Sequence, residues 1–127
     1  MRVRRLDHFG IEVRDLERAE AFYVNVLGLE VFRRLGHFTE FRGNNCMLAL
    51  FRNPNMQPMG GGDVQNPYGK GHWAFEVAVG DLLDACETFS NSGIPYHGPV
   101  DWGDHDCLYF QDPDGNLLEI VAYREAT

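Results

Sequence analysis

The second half of the chain repeats the pattern of the first half, and this duplication constrains the fold more than any other feature of the sequence. Residues 8–13 (HFGIEV) align with residues 72–77 (HWAFEV). Both segments alternate along the chain with a period of two, which predicts a half-buried strand in each copy. An aspartate follows each strand, Asp15 or Asp81, and we predict that each is the N-cap of an amphipathic helix.

Each predicted helix ends at a glycine, and three short strands follow it. The two glycines are Gly28 and Gly93. The repeating unit is therefore βαβββ, and the sequence predicts an α+β protein built from two such modules. The three later strands are predicted at residues 29–34, 37–42 and 45–51 in the first copy, and at residues 94–99, 106–111 and 116–122 in the second.

The two modules form one predicted domain, residues 1–127, and a long connection joins them. Module 1 covers residues 1–52, the linker covers residues 53–70, and module 2 covers residues 71–127. The linker is rich in Gly, Pro and Asn. A loop of this length is a lid, a binding loop or a plain connector, and the sequence leaves these alternatives open.

Composition and charge exclude several classes of partner. The net charge of −8 argues against nucleic acid or an anionic membrane surface as a partner. Beyond Lys70 the only Lys or Arg is Arg124, so module 2 is a poor host for a bulky polyanion. No apolar run is long enough to span a membrane, and no signal-peptide pattern precedes the first strand. The three cysteines show neither a metal-binding nor a disulfide spacing. We expect a soluble, cytoplasmic protein with a small-molecule substrate.

Two histidines occupy matching positions of the repeat, His8 and His72. On each predicted strand the aromatic and branched residues must face the helix, so the imidazole points to the other side of the sheet. A small residue, Gly10 or Ala74, follows two positions later and is expected to leave open space beside the ring. Two imidazoles at equivalent positions of a duplicated fold would converge near its pseudo-twofold axis, as metal ligands do.

Glu119 lies in the middle of an apolar strand, residues 117–121 (LLEIV). A carboxylate buried there needs a cation or several donors, because desolvation otherwise costs several kcal/mol. The alternative to a metal ion is an ion pair with Arg124 or another arginine. The repeat counterpart of Glu119 is Ala49, which leaves two histidines and one carboxylate. That set leaves positions for water, substrate or O₂ and suits Fe(II), with Mn(II), Ni(II) or Zn(II) also possible.

Three segments carry a resemblance to the vicinal oxygen chelate superfamily, the group of glyoxalases, bleomycin resistance proteins and extradiol dioxygenases. They are residues 6–30, residues 71–77 and the strand–DPDG–strand–Glu pattern of residues 108–121. The resemblance implies two βαβββ modules that form a cup-shaped mixed sheet around a metal ion. It implies that His8, His72 and Glu119 are the metal ligands. It also implies a homodimer whose metal sites are shared between subunits.

The departures from the family pattern distinguish its branches. Glyoxalase I carries a fourth ligand where this chain has Ala49, and fosfomycin-inactivating transferases need more basic residues than module 2 offers. Bleomycin-binding proteins usually lack the ligand triad. Extradiol dioxygenases match the triad and place a tyrosine ten positions before the glutamate, here Tyr109. They also use an acid–base histidine on a strand near the metal; residues 46–51 contain none, and His37 and His105 are the candidates from elsewhere in the chain.

The leading hypothesis from the sequence is a metal-dependent dioxygenase-type enzyme that acts on a small organic molecule with two neighbouring oxygens. Its candidate catalytic residues are Tyr109 and His105. The first alternative is a redox-neutral lyase, isomerase or thiol transferase, including the fosfomycin-resistance type. The second alternative is a non-catalytic ligand-binding or antibiotic-resistance protein.

Overall fold

The computed structural model describes residues 1–125. The chain divides into two compact units, with the boundary between Gln57 and Pro58. Each unit contains one four-stranded mixed sheet and one α-helix. Within the described residues, no helix is long and apolar enough to cross a membrane.

The first unit has the predicted βαβββ order. Its sheet has the strand order β1-β4-β3-β2; β1 and β4 are parallel, and the other neighbours are antiparallel. The elements are β1 (His8–Val13), α1 (Leu16–Asn25), β2 (Glu30–Arg34), β3 (Phe38–Arg42) and β4 (Met47–Arg52).

The second unit repeats the same topology. Its strand order is β5-β8-β7-β6, again with one parallel pair, β5 and β8. The identical order in both sheets confirms the α+β class and the duplicated module. The elements are β5 (Trp73–Glu76), α2 (Val79–Asn91), β6 (Tyr96–Asp101), β7 (His105–Gln111) and β8 (Leu117–Tyr123).

Each sheet buries the face that packs against its own helix. In the first unit Tyr23 of α1 lies 6.0 Å from Phe41, and in the second Phe89 of α2 stacks on Phe110 at 4.8 Å. All four of these rings are almost completely buried. Alternation then turns the remaining strand side chains, including the predicted histidines, to the other face of each sheet. We call this other face the open face.

The second part of the linker folds against the second sheet. A short 3₁₀ segment, Met59–Gly62, follows the unit boundary, and the Met59 N–H donates to the side-chain oxygen of Asn116 at 2.9 Å. Val64 is 5% exposed and packs in a cluster with side chains of β7 and β8. These residues therefore line a face of the module and do more than connect the two copies.

The DPDG turn before β8 is held by the buried side chain of Asp112. Its carboxylate accepts the backbone N–H groups of Asp114 and Asn116 at 2.9 and 3.0 Å, and the Asn116 side-chain amide at 2.9 Å. Asn116 in turn accepts the N–H of Met59. The most specific sequence signature of the chain is thus a structural turn that fixes the start of β8.

One of the two predicted helix caps is correct and the other is wrong. Asp15 is the N-cap of α1, and its carboxylate accepts the N–H of Arg18 at 3.1 Å. The N-cap of α2 is Ala78, which offers no side-chain acceptor. The second helix begins earlier than predicted, so Asp81 lies inside its first turn, where its charge only complements the helix dipole.

This difference predicts unequal effects for the same substitution in the two modules. We expect Asp15→Ala to lower the free energy of unfolding by about 1 kcal/mol, because an N-cap acceptor is lost. That corresponds to a fall of about 0.5 M in the urea midpoint. Asp81→Ala is the matched control and should cost only a few tenths of a kcal/mol. Equal losses in urea unfolding curves would contradict the assignment.

Candidate functional site

The register of the second sheet brings His72 next to Glu119. Ala74 lies directly opposite Glu119 in the parallel β5–β8 pair, and His72 lies two residues earlier on the same face. The Nε2 atom of His72 is 3.0 Å from Oε1 of Glu119. The structure therefore brings together two of the three predicted ligands.

The hydrogen bonds at this contact leave two acceptor atoms facing each other when the His72 ring is neutral. The Nδ1–H of His72 donates to the carbonyl oxygen of Lys70 at 2.7 Å, since a carbonyl oxygen only accepts. In a neutral ring Nε2 is then an acceptor, and it faces a carboxylate oxygen that is also an acceptor. The two lone pairs repel unless a proton or a metal ion lies between them. Bonds of about 2.1 Å that meet near a right angle would hold two ligand atoms about 3.0 Å apart, so the spacing fits a shared metal ion.

Glu119 is buried in an apolar environment, which increases its need for a cation. The residue is 7% exposed, and the cluster around its strand includes Val64, Cys107 and Leu117. The proposed ion pair with Arg124 is absent: that guanidinium contacts Asp101 at 3.1 Å, and also Asp106. The structure instead pairs Glu119 with His72, whose imidazole carries a positive charge when it is protonated.

Tyr109 lies directly opposite Glu119 on β7 and is 5% exposed. Its ring packs edge-to-face on the His72 imidazole, with centroids 5.7 Å apart. Burial, and then the negative charge of Glu119, raise the pKa of the Tyr109 hydroxyl far above its ordinary value. Tyr109 therefore keeps its proton at physiological pH and is available as a hydrogen-bond donor.

Cys107 is a second buried group on this face. Its sulfur accepts the indole N–H of Trp102 at 3.1 Å. Burial first, and then a hydrogen bond with Glu119, raise the pKa of the Cys107 thiol to about 11. A thiol with this pKa stays protonated near neutral pH, so Cys107 is a poor nucleophile and packs in the core.

His8 belongs to the first unit, and its ring, like that of His72, is hydrogen-bonded through Nδ1. Its Nδ1 lies 2.8 Å from the Asp7 carboxylate, to which it donates, and this leaves Nε2 as the acceptor nitrogen. A histidine ligand typically donates its other N–H to a carboxylate or carbonyl group. Within residues 1–125 the structure contains no group of three or more His, Cys, Asp or Glu side chains that could hold a metal ion.

The space expected beside the first histidine is filled. A Cβ atom added to Gly10 would lie 3.0 Å from the ring of Phe51. The glycine therefore makes room for a neighbouring aromatic side chain on β4 and does not leave the strand open. Ala49, the repeat counterpart of Glu119, is 4% exposed and pairs with Gly10 in the sheet.

The matching registers also show how the two open faces have diverged. Glu40 lies opposite Ala49 in the first sheet, as Tyr109 lies opposite Glu119 in the second. Glu40 makes a bidentate ion pair with Arg33, at 2.9 and 3.1 Å. Its carboxylate thus has a partner of its own within the first unit.

His105, the second candidate catalytic residue, lies away from the His72–Glu119 contact. It pairs with Tyr123 in the sheet, four residues along β8 from Glu119, or roughly 13 Å along the strand. Its Nδ1 donates to the Asp104 carboxylate at 2.6 Å. An acid–base role for His105 stays a prediction.

Sequence reasoning missed two contributors to this face, Tyr68 from the linker and Trp102 from the turn before β7. The Tyr68 ring lies 5.7 Å from Tyr109 and 6.1 Å from Trp102. The Gly-, Pro- and Asn-rich linker was the only available signal, and it does not specify where the linker folds. The backbone carbonyl of Lys70, which orients His72, carries no side-chain signal at all.

Comparison with known proteins identifies the family of this chain. The sequence pattern of the Glyoxalase/Bleomycin resistance protein/Dioxygenase superfamily matches residues 5–120. The chain is 31% identical to a lactoylglutathione lyase of Pseudomonas aeruginosa, across 91% of this chain and 80% of that protein. It is 32% identical to biphenyl-2,3-diol 1,2-dioxygenase 3 of Rhodococcus globerulus, across 97% of this chain but only 65% of that protein.

The fold is shared with solved structures as well. A glyoxalase/dioxygenase from Nostoc punctiforme has a TM-score of 0.79 and 24% identity, with 96% of this chain and 92% of that chain covered. At this identity the likeness concerns the fold alone. The pattern that spans almost the whole chain and the similarity to the Pseudomonas aeruginosa relative go further: this protein belongs to the Glyoxalase/Bleomycin resistance protein/Dioxygenase superfamily.

Proposed function

We propose that this protein is a divalent-metal-dependent enzyme of the dioxygenase type, whose substrate is a small organic molecule with two neighbouring oxygens. The metal ligands in this proposal are His8, His72 and Glu119. One observation carries it: Nε2 of His72 and a buried carboxylate oxygen of Glu119 face each other at 3.0 Å, where their lone pairs repel when the imidazole is neutral. A shared cation relieves this repulsion and also the desolvation of the carboxylate.

The donor set suits the proposed metal. Two imidazoles and one carboxylate are the ligands typical of non-haem Fe(II) oxygenases. When bound, such an ion acts as a Lewis acid that stabilises negative charge on adjacent substrate oxygens. Asp7 and the Lys70 carbonyl fix the two rings so that their Nε2 atoms are the available ones.

The residues around these three proposed ligands keep a hydroxyl proton available and shield the site from water. Tyr109 keeps its hydroxyl proton and packs against His72, so it can donate to a substrate oxygen while limiting rotation of the imidazole. Val64 and Leu117 pack in one buried cluster with Tyr109, the residue opposite Glu119. A low-dielectric environment of this kind strengthens each charge interaction within it.

The similarity to a biphenyl-2,3-diol dioxygenase along almost the whole chain supports the dioxygenase type. The second candidate is a redox-neutral lyase, isomerase or thiol transferase that uses Mn(II), Ni(II) or Zn(II). The similarity to a lactoylglutathione lyase favours this candidate. Ala49 argues against it, because a methyl group occupies the position of the fourth ligand in glyoxalase I.

The proposed assembly is a homodimer in which the metal site is shared between subunits. The two halves of the chain differ in charge: residues 1–57 contain nine arginines and seven carboxylates, whereas residues 58–127 contain two cationic residues and twelve carboxylates. A net charge of opposite sign favours association of the first module of one copy with the second module of another.

The ligand assignment predicts a specific loss of metal affinity. Glu119→Gln and His72→Gln keep the side-chain size but remove a ligand, so each should weaken Mn(II) binding by at least about 100-fold. Glu76→Gln is the matched control, since Glu76 lies on β5 and is exposed. Isothermal titration of the three variants measures this. Unchanged affinity in Glu119→Gln would rule out the carboxylate as a ligand.

The shared site predicts complementation between two inactive variants. His8→Ala and His72→Ala should each lose metal binding as separate homodimers. A mixed dimer regains one intact site in which His8 comes from one subunit and the other two ligands come from its partner. About half of the sites in the heterodimer should bind metal again. Failure to recover any binding in an isolated heterodimer would show that the site, if present, uses one chain only.

The reaction type is tested by oxygen consumption. Protein reconstituted anaerobically with Fe(II) should consume O₂ when catechols or related enols are added, and EDTA should abolish the uptake. Conversion of a hemithioacetal by Ni(II)- or Zn(II)-loaded protein, without O₂ uptake, would favour the lyase candidate. Ligand binding that survives EDTA and produces no turnover would instead identify a binding or resistance protein.

A further inference from the structure

A row of aromatic rings extends from the His72–Glu119 contact to the surface of the second unit. Tyr109 contacts His72 at 5.7 Å, Tyr68 contacts Tyr109 at 5.7 Å, and Trp102 contacts Tyr68 at 6.1 Å. All three contacts are edge-to-face. We call Tyr68, Trp102 and Tyr109 the aromatic row.

The two outer rings are held in place by hydrogen bonds. The Tyr68 hydroxyl donates to Nε2 of His97 at 2.9 Å, and Nδ1 of His97 donates to the side-chain oxygen of Gln65 at 3.1 Å. The Trp102 indole N–H donates to Cys107, and its backbone N–H donates to the carbonyl oxygen of His105 at 2.9 Å. Both rings are therefore oriented before any ligand arrives.

Despite these restraints, the outer rings remain half exposed. Tyr68 is 51% exposed and Trp102 is 48% exposed, whereas Tyr109 at the inner end is 5% exposed. Packing another flat ring on water-exposed aromatic faces removes apolar surface from water and therefore lowers the free energy. The row thus presents an ordered apolar surface that begins at the proposed ligands.

The charges near the row select against an anionic ligand. Asp101, Asp104 and Asp106 surround the turn that carries Trp102. The guanidinium of Arg124, one of two cationic side chains in this unit, is already engaged with the first and last of these carboxylates. A carboxylate or phosphate placed beside Trp102 would be repelled by these aspartates.

We propose that Tyr68 and Trp102, with Tyr109 at the inner end, form a binding site for an uncharged flat ring attached to the oxygens of the substrate. This inference rests on the proposed function, which places the substrate oxygens at His72 and Glu119. It assigns to the linker, through Tyr68, a direct part in substrate specificity. The carboxylates around Trp102 disfavour a negatively charged substituent on the substrate ring.

The test compares ligands that share one chelating group and differ only in the attached ring. Benzohydroxamate, cyclohexanecarbohydroxamate and 4-carboxybenzohydroxamate are titrated into Mn(II)-loaded protein by calorimetry. We expect benzohydroxamate to bind about 3–10-fold tighter than the cyclohexyl compound, because only a flat ring stacks on the aromatic row. The carboxylated ring should lose most of that advantage.

Variants show whether the row causes this preference. Tyr68→Leu and Trp102→Leu should each reduce the preference for the flat ring at least about threefold, whereas Tyr68→Phe keeps the ring and should preserve it. Tyr123→Leu is the control, because Tyr123 is 49% exposed but lies four residues along β8 from Glu119.

Two different failures can be told apart. Metal-dependent binding of all three hydroxamates with equal affinity, unchanged by Tyr68→Leu, would overturn the ring site and leave the proposed function intact. A change in oligomeric state without a change in preference would show that the row is a subunit contact, which also overturns it. No metal-dependent binding of any hydroxamate would overturn both proposals.

Discussion

The contact between the His72 imidazole and the buried Glu119 carboxylate is the interaction on which the rest of this protein's chemistry depends. The carboxylate lies in an apolar strand, and the imidazole, whose Nδ1–H donates to a backbone carbonyl, faces it through Nε2, which carries a lone pair when the ring is neutral. Neither group can satisfy the other without added positive charge. This contact is the basis of the proposed metal site, and the other residues of the open face can be described by their distance from it.

The surroundings of this contact combine a dry inner end with a partly exposed outer end. Cys107 and Tyr109 keep their protons because burial and the nearby carboxylate raise the pKa of both groups. They offer hydrogen-bond donors and packing but no nucleophile. Tyr68 and Trp102 extend the same surface toward solvent with fixed orientations. The proposed metal site and the proposed ring-binding site therefore lie side by side within a single module.

Duplication explains why the two modules share a frame but not a chemistry. Both sheets have the same strand order and the same ladder registers, so each position on one open face has a counterpart on the other. The second module has a carboxylate and a tyrosine where the first has Ala49 and the ion-paired Glu40. The ion pair neutralises the Glu40 carboxylate on the first face, whereas the Glu119 carboxylate on the second face lies against the His72 imidazole.

The repeated βαβββ module, the open-face placement of both histidines and the burial of Glu119 could all be predicted from the sequence, because strand alternation and an internal repeat are local patterns. The sequence also identified Asp15 as a cap, but not Ala78, because a helix start without a capping side chain leaves no sequence signal. The three-dimensional fold was needed to show that Phe51 fills the space at Gly10 and that Arg124 pairs with Asp101 and Asp106. It was also needed to show that the linker places Tyr68 on the open face. Those outcomes depend on long-range packing and on competition among several partners, which no local pattern encodes.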